Sequence, residues 1–234
     1  AGAVDHETLV DVATQAFASL QPGPAADHLA TRPAGTYVGG EIRKKAKHEQ
    51  VNLVLGFKGE PFQNGEHYAL QVFASVLGGG LSSRLFQEVR EKRGLAYSID
   101  AFHWPFSDCG VFGIGGGTAP EDAGELIEVA LEVMERATRD LTPAEVARAK
   151  AQMKVGLLAG LEAPSGRVEQ MARQVLSFGR VIDGAEITAK LDAVTLGDVA
   201  AAGRSLLRSH VTLTVVGPVA KLPALALLTA GRVG

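Results

Sequence analysis

Two blocks of paired, period-two hydrophobicity constrain the fold of this 234-residue chain more than any other feature. The first block holds one strand within 36–46 and a second from His48 to Phe57, where Val51, Leu53, Leu55 and Phe57 alternate with other residues. The second block predicts strands from about Leu95 to Trp104 and from about Cys109 to Gly116. Between the blocks a helix runs through Leu77, with Ala69, Val72, Phe73, Val76 and Leu77 on one face, and Gly78-Gly79-Gly80 stops it. A second helix, capped by Ser82 or Ser83, turns Leu85, Phe86 and Val89 inward and ends at Gly94. Beyond the second block the chain is helical. Thr118 to Glu121 and Thr142 to Glu145 have capping-box spacing, with Pro143 at a first helical position. Ser165 starts a helix carrying Val168, Met171, Ala172 and Val175 inward, Thr195 starts a short one, and His210 to Val216 is a closing strand. Strands that come in pairs, rather than singly between helices, imply an α+β fold. The expectation is a two-layer domain with a largely antiparallel or mixed sheet covered by helices.

Ahead of this core, Asp5 caps a helix in which Leu9, Ala13, Ala16, Phe17 and Leu20 recur at helical spacing. Residues 21–35, with Pro22, Pro24 and Pro33, are expected to be a linker. The division is therefore a helix and linker over 1–35 and one domain over 36–234.

Composition narrows the partners. A net charge of −3 gives no electrostatic reason to expect nucleic acid. The basic run Arg43-Lys44-Lys45-Ala46-Lys47 suits an edge strand guarded against unwanted pairing. No apolar run approaches the roughly 18 residues that span a bilayer, so no membrane partner is expected. The single cysteine, Cys109, is read as a small core residue. It rules out an internal disulfide and suits a reducing compartment; a cytoplasmic location is expected, with the periplasm left open.

Most sites of chemistry are excluded by spacing. The six histidines, at 6, 28, 48, 67, 103 and 210, include no two that lie three to five residues apart, and neither His-Glu-x-x-His nor its inverse occurs. No metal site is expected within this chain. Gly113-Ile114-Gly115-Gly116-Gly117-Thr118 lacks the Gly-Lys-Ser/Thr ending of a phosphate loop, and Gly-x-Ser-x-Gly is absent. One segment remains, Leu81 to Ser98. Its Arg84/Glu88 and Glu88/Lys92 spacings suit ion pairs on a helix surface. Arg90 sits near the helix end and Tyr97 begins the next strand, and a turn through Gly94 that folds the strand back beside the helix lets both side chains point to one patch. Two such donors can hold a peptide carbonyl and stabilise an oxyanion.

The run Ser82-Ser83-Arg84-Leu85-Phe86-Gln87-Glu88-Val89-Arg90-Glu91-Lys92-Arg93-Gly94-Leu95-Ala96-Tyr97 resembles the C-terminal half of the pitrilysin and mitochondrial-processing-peptidase family of zinc peptidases, the inverzincins. The likeness extends to the glycines at 78–80, to Leu141–Lys150, to Arg173-Gln174-Val175-Leu176 and to the closing Val215-Val216-Gly217-Pro218. The resemblance implies a clamshell of two similar halves. One half binds zinc; the other, this one, closes over the peptide with Arg90 and Tyr97. It further implies that residues 1–35 join a preceding half, that Gly78, Gly79 and Gly80 lie beside the substrate, and that the partners are a peptide and a zinc-bearing homologous half. Zinc is expected on that half and no cofactor in this one. An edge strand within 95–104 or 109–117 could add to an extended peptide. Two other readings stay open: a core-like scaffold subunit of the kind that serves a respiratory complex, and a peptide-binding module that meets no zinc partner.

Overall fold

The structure, a computed structural model, describes residues 1–21 and 33–229. Its elements in chain order are α1 (His6–Ala16), β1 (Gly40–Lys45), β2 (Val51–Gly59), α2 (His67–Gly78), a π-helix (Phe86–Lys92), β3 (Ala96–Pro105), β4 (Gly110–Thr118), α3 (Ala123–Asp140), α4 (Pro143–Gly160), α5 (Pro164–Phe178), α6 (Gly184–Ala193), α7 (Leu196–Leu207), β5 (Thr212–Gly217) and α8 (Leu225–Leu228). The strands form one sheet in the order β1-β5-β2-β4-β3. Strand β1 runs parallel to β5, and the other neighbours are antiparallel. The α+β expectation of a mixed sheet holds, and β1 and β3 are its edges. The basic run therefore lies on an edge, as its composition suggested.

Alternation along the strands decides which face is covered. Val51, Leu53, Leu55 and Phe57 of β2, Phe112 and Ile114 of β4, and Leu213 and Val215 of β5 are buried. They meet Val72, Phe73, Val76 and Leu77 of α2 and Leu126, Leu131 and Met134 of α3 in one continuous core. Phe57 and Phe73 pack their rings on Phe112, with centroids 6.2 and 6.0 Å away. Full burial of one such ring is worth roughly 1.5–3 kcal/mol. The opposite face leaves Asn52, Val54 and Lys58 of β2 exposed.

Several local expectations are corrected. Thr118 caps no helix: it ends β4 and donates its hydroxyl to the Leu95 carbonyl, while α3 starts at Ala123 without a side-chain cap. The capping box at Thr142 and Glu145 forms, and a second joins Thr195 to Asp198. Helix α5 begins at Pro164 with no side-chain cap and leaves Val168, Met171 and Val175 exposed, burying only Gln174. Helix α1 is capped by Asp5, which accepts from the Thr8 amide at 2.8 Å, yet buries none of its residues. Cys109 is half-buried in the β3–β4 turn instead of the core, because the turn closes there through Phe106 N–H to the Cys109 carbonyl. Of the expected linker, residues 22–32 lie outside the described residues.

The Arg84–Glu88 pair does not form. Arg84 reaches away from its own helix and grips Glu145 through Nε and a terminal nitrogen at 2.6 and 2.8 Å, and also pairs with Asp140. A largely buried two-point grip outcompetes an exposed pair on one helix. The guanidinium holds the Glu145 carboxyl at about 2, well below the usual range, with the Thr142 hydroxyl and amide assisting. The start of the π-helix is thereby tied to the α3–α4 turn. Arg84→Ala is expected to lower the unfolding free energy by about 2 kcal/mol, because it leaves Glu145 without its cation. Urea unfolding at neutral pH checks this; a loss below about 0.5 kcal/mol, typical of an exposed pair, would show that the grip is only superficial.

Candidate functional site

The segment that carries Arg90 and Tyr97 is wound unusually. Phe86 to Lys92 form a π-helix, closed by Leu95 N–H to the Val89 carbonyl at 2.9 Å. Its wider turn sets Phe86 directly beneath Arg90: the guanidinium carbon stands 4.7 Å from the Phe86 ring centre. Gly94, at φ +65°, then reverses the chain into β3.

Strand β3 opens with a bulge. Ala96 faces Thr118 and Ser98 faces Gly117, so Tyr97 is the extra residue. A bulge re-aims a side chain. Here the burial pattern shows the effect: Tyr97 and Ser98 are both exposed between the buried Ala96 and Ile99. The Tyr97 ring comes to 4.8 Å from the Arg90 guanidinium carbon. Arg90 thus lies against two rings, and its one ion pair among the described residues is a 3.8 Å contact to the Glu91 carboxylate. Tyr97 is 78% exposed, and among the described residues its hydroxyl has no hydrogen-bond partner. The result is a half-buried cation beside an exposed phenol, with N–H and O–H groups available to an incoming acceptor.

The glycine run at 78–80 has local reasons of its own. Gly78 ends α2 against β3; a Cβ there would stand under 3.0 Å from the Ala101 nitrogen. Gly79 closes the helix through its N–H to the Ser75 carbonyl, and Gly80 adopts φ +151°. Gly79 and Gly80 are exposed.

Two features of the patch escaped the sequence. Phe86 was expected to turn into the core, but lies half-buried under Arg90. Asp100 and the stacked pair Phe102–Trp104, with centroids 4.2 Å apart, follow Tyr97 along β3. Among the described residues no three His, Cys, Asp or Glu side chains gather so as to hold a metal ion. Nor is any helix among them long and apolar enough to cross a membrane.

Residues 1–153 match the Peptidase M16 inactive domain. An uncharacterized zinc protease of Rickettsia felis is 33% identical over 93% of this chain and 52% of its own length. One of Streptomyces coelicolor is 34% identical over 93% of this chain and 49% of its length. A chain in the structure of complex III2 from Candida albicans, with Inz-5 bound, superposes over 99% of this chain and 57% of its own, with a TM-score of 0.84 at 23% identity, which shows a shared fold. The chain belongs to the M16 peptidase family, as the non-zinc-binding C-terminal half. It spans about half the length of the curated relatives it matches.

Proposed function

We propose that this domain is the substrate-gripping half of a two-part zinc peptidase, acting on peptides together with a zinc-bearing homologous half. The observation that carries the reading is the Arg90–Tyr97 pair: a half-buried guanidinium over the exposed Tyr97 ring, neither group making a hydrogen bond among the described residues. A cation–π contact at an exposed site is worth only about 0.5–1 kcal/mol. That is a weak structural reason to hold a guanidinium in one place with its N–H groups free.

As donors the two groups have a clear use. A guanidinium fixed by Phe86 and Tyr97 loses little freedom when it donates to a peptide carbonyl. The phenol adds a second donor beside it. Both would be brought to the scissile carbonyl only when the halves close, so their contribution falls on the transition state rather than on a loosely held ground state. Strand β4 is interior, so the edge available to an extended peptide on this side of the sheet is β3. Of the glycine run, Gly79 and Gly80 are the exposed positions where a peptide backbone can approach closely. Gly78 is taken up by packing.

The test uses the complete peptidase, this domain with its zinc-bearing half, and fluorescence-quenched peptides. Arg90→Ala and Tyr97→Phe are each expected to lower kcat/KM by about tenfold or more, a loss of roughly 1.4 kcal/mol in transition-state binding. Stability should change by less than about 1 kcal/mol in either variant. Cleavage that is unaffected by both substitutions, or a wild-type assembly that cuts nothing, would remove the catalytic reading and favour a scaffold.

A further inference from the structure

We propose that the crevice between α4, α5 and the β3–β4 turn binds a small, neutral aromatic ligand that carries a carbonyl group, in chemical terms an aryl amide. The site stands apart from the Arg90–Tyr97 pair and does not depend on the peptidase reading. Pro105, on its wall, ends β3 eight residues beyond Tyr97, roughly 26 Å along an extended strand.

Glycines and rings shape the crevice. Its volume is about 550 Å³, within the range of small-molecule sites. Gly156 and Gly160 lie one turn apart on α4, and an added Cβ at either would meet nothing within 4 Å. Glycine weakens a helix interior, and at Gly156 no close neighbour demands it. Gly166 has the opposite surroundings: a Cβ there would stand under 3.0 Å from the Gly160 carbonyl oxygen, so it lets the start of α5 approach the end of α4. Across from the glycines, Phe62 meets Phe178 edge to face with centroids 5.5 Å apart. The Phe62 N–H donates to the Phe106 carbonyl at 2.9 Å, which ties the loop ahead of α2 to the β3–β4 turn. Three phenylalanines from three separate segments thus line one concave surface. Rings left facing water there gain the fold nothing, whereas an apolar ligand would cover them.

One polar side chain is set among them. Gln174 lines the crevice, is only 7% exposed and is the one residue that α5 buries. Its Oε1 accepts the Ile182 N–H at 2.9 Å, which decides which end of the amide is oxygen. The other end, Nε2, has no hydrogen-bond partner among the described residues, yet it is not sealed inside the protein. In a side chain otherwise enclosed, that opening is to the crevice. Two N–H groups are therefore offered to an acceptor in apolar surroundings, where a hydrogen bond is stronger than in water. No free charge accompanies them, because Arg173 and Glu169 at the rim meet each other at 2.7 Å. Donors without an unpaired cation favour a carbonyl over a carboxylate, and the rings favour a flat apolar body.

The experiment uses the complete peptidase, this domain with its zinc-bearing half, and three matched probes titrated by ligand-observed NMR. Phenylpropanamide has the ring and the amide, phenylpropanoate replaces the amide by a carboxylate, and propanamide lacks the ring. Phenylpropanamide is expected to bind with a Kd on the order of 1 mM or tighter, and the other two at least about tenfold more weakly. Gly156→Leu fills the crevice from an open helix position, leaves the Gln174–Ile182 contact alone, and should weaken phenylpropanamide by about tenfold or more. Gln174→Glu keeps an acceptor for Ile182 but removes the donors, and should abolish the preference for the amide over the acid. Arg90→Ala should bind as the wild type does, which separates the crevice from the candidate catalytic pair. No binding to the wild type at ~10 mM overturns the assignment. Binding that survives Gly156→Leu, or that is lost in Arg90→Ala, overturns it by placing the ligand elsewhere, and equal affinity for the acid overturns the ligand class. Each of these outcomes leaves the peptidase reading untouched, because no cleavage is measured.

Discussion

Gly78→Ala is expected to destabilise the domain by about 3 kcal/mol, although the same change inside a helix ordinarily stabilises by roughly 0.5–1 kcal/mol. The sign is decided by what the new methyl meets. Gly78 is the last residue of α2, and its position over β3 leaves less than 3.0 Å between an added Cβ and both the Ala101 nitrogen and the Asp100 carbonyl carbon. Backbone on both sides cannot move aside as a flexible side chain can, so the helix must lift from the sheet. That lift disturbs Leu77, Phe73 and the rest of the buried face. Gly156, within α4, has nothing within 4 Å of an added Cβ and serves as the control. Gly156→Ala should raise stability by about 0.5–1 kcal/mol. Urea unfolding of both variants gives opposite signs if packing is the reason for Gly78. Were Gly78 there for the peptide instead, Gly78→Ala would leave the unfolding midpoint alone and lower only kcat/KM.

The pattern of the chain shows which parts of this architecture can be read before folding. Alternating Val51, Leu53, Leu55 and Phe57 announce β2 because one face of a sheet must be dry. The Thr142 capping box is legible because all its partners lie within four residues. What stays hidden depends on residues far apart in sequence. Arg84 chooses Glu145 over Glu88 only once α4 is docked beside it. The parallel pairing of β1 with β5 joins Gly40 to Thr212, and no local signal encodes it. Val168, Met171 and Val175 have the spacing of a buried stripe, but among the described residues nothing covers them. At the candidate site, the residue types of Arg90 and Tyr97 and the turn at Gly94 were legible. The means of bringing them together were not. A π-turn and a bulge each break the regular period on which such reading depends, and each breaks it at the site.

Acidification should weaken the fold through His103, a residue that looked unremarkable in the sequence. Its ring is buried on the covered face of β3, and Nε2 accepts the Glu60 amide at 3.1 Å. Gly59 makes room for it, since a Cβ there would stand under 3.0 Å from the ring. Accepting through Nε2 leaves the proton of the neutral ring on Nδ1, which finds no partner among the described residues. A second proton would turn Nε2 into a donor facing the Glu60 donor, near another histidine, His67. Burial, with a smaller contribution from His67, lowers the pKa to about 4 from the ordinary 6.5. The native state therefore binds this proton less readily than the unfolded chain. The linked stability is fully present above pH 6.5, declines as pH falls, and is gone once pH passes below about 4. The full span is about 3 kcal/mol, at most ~1.4 kcal/mol per pH unit. Unfolding free energies of the wild type and His103→Gln, measured by urea titration from pH 7.5 to 4.5, isolate the effect, because His67, whose pKa burial also lowers, is common to both. The stability difference between the two proteins should shrink by about 2 kcal/mol over that range. A difference that is the same at both ends would mean that the His103 ring takes up its proton without losing the Glu60 contact, and that the acid sensitivity of the fold resides elsewhere.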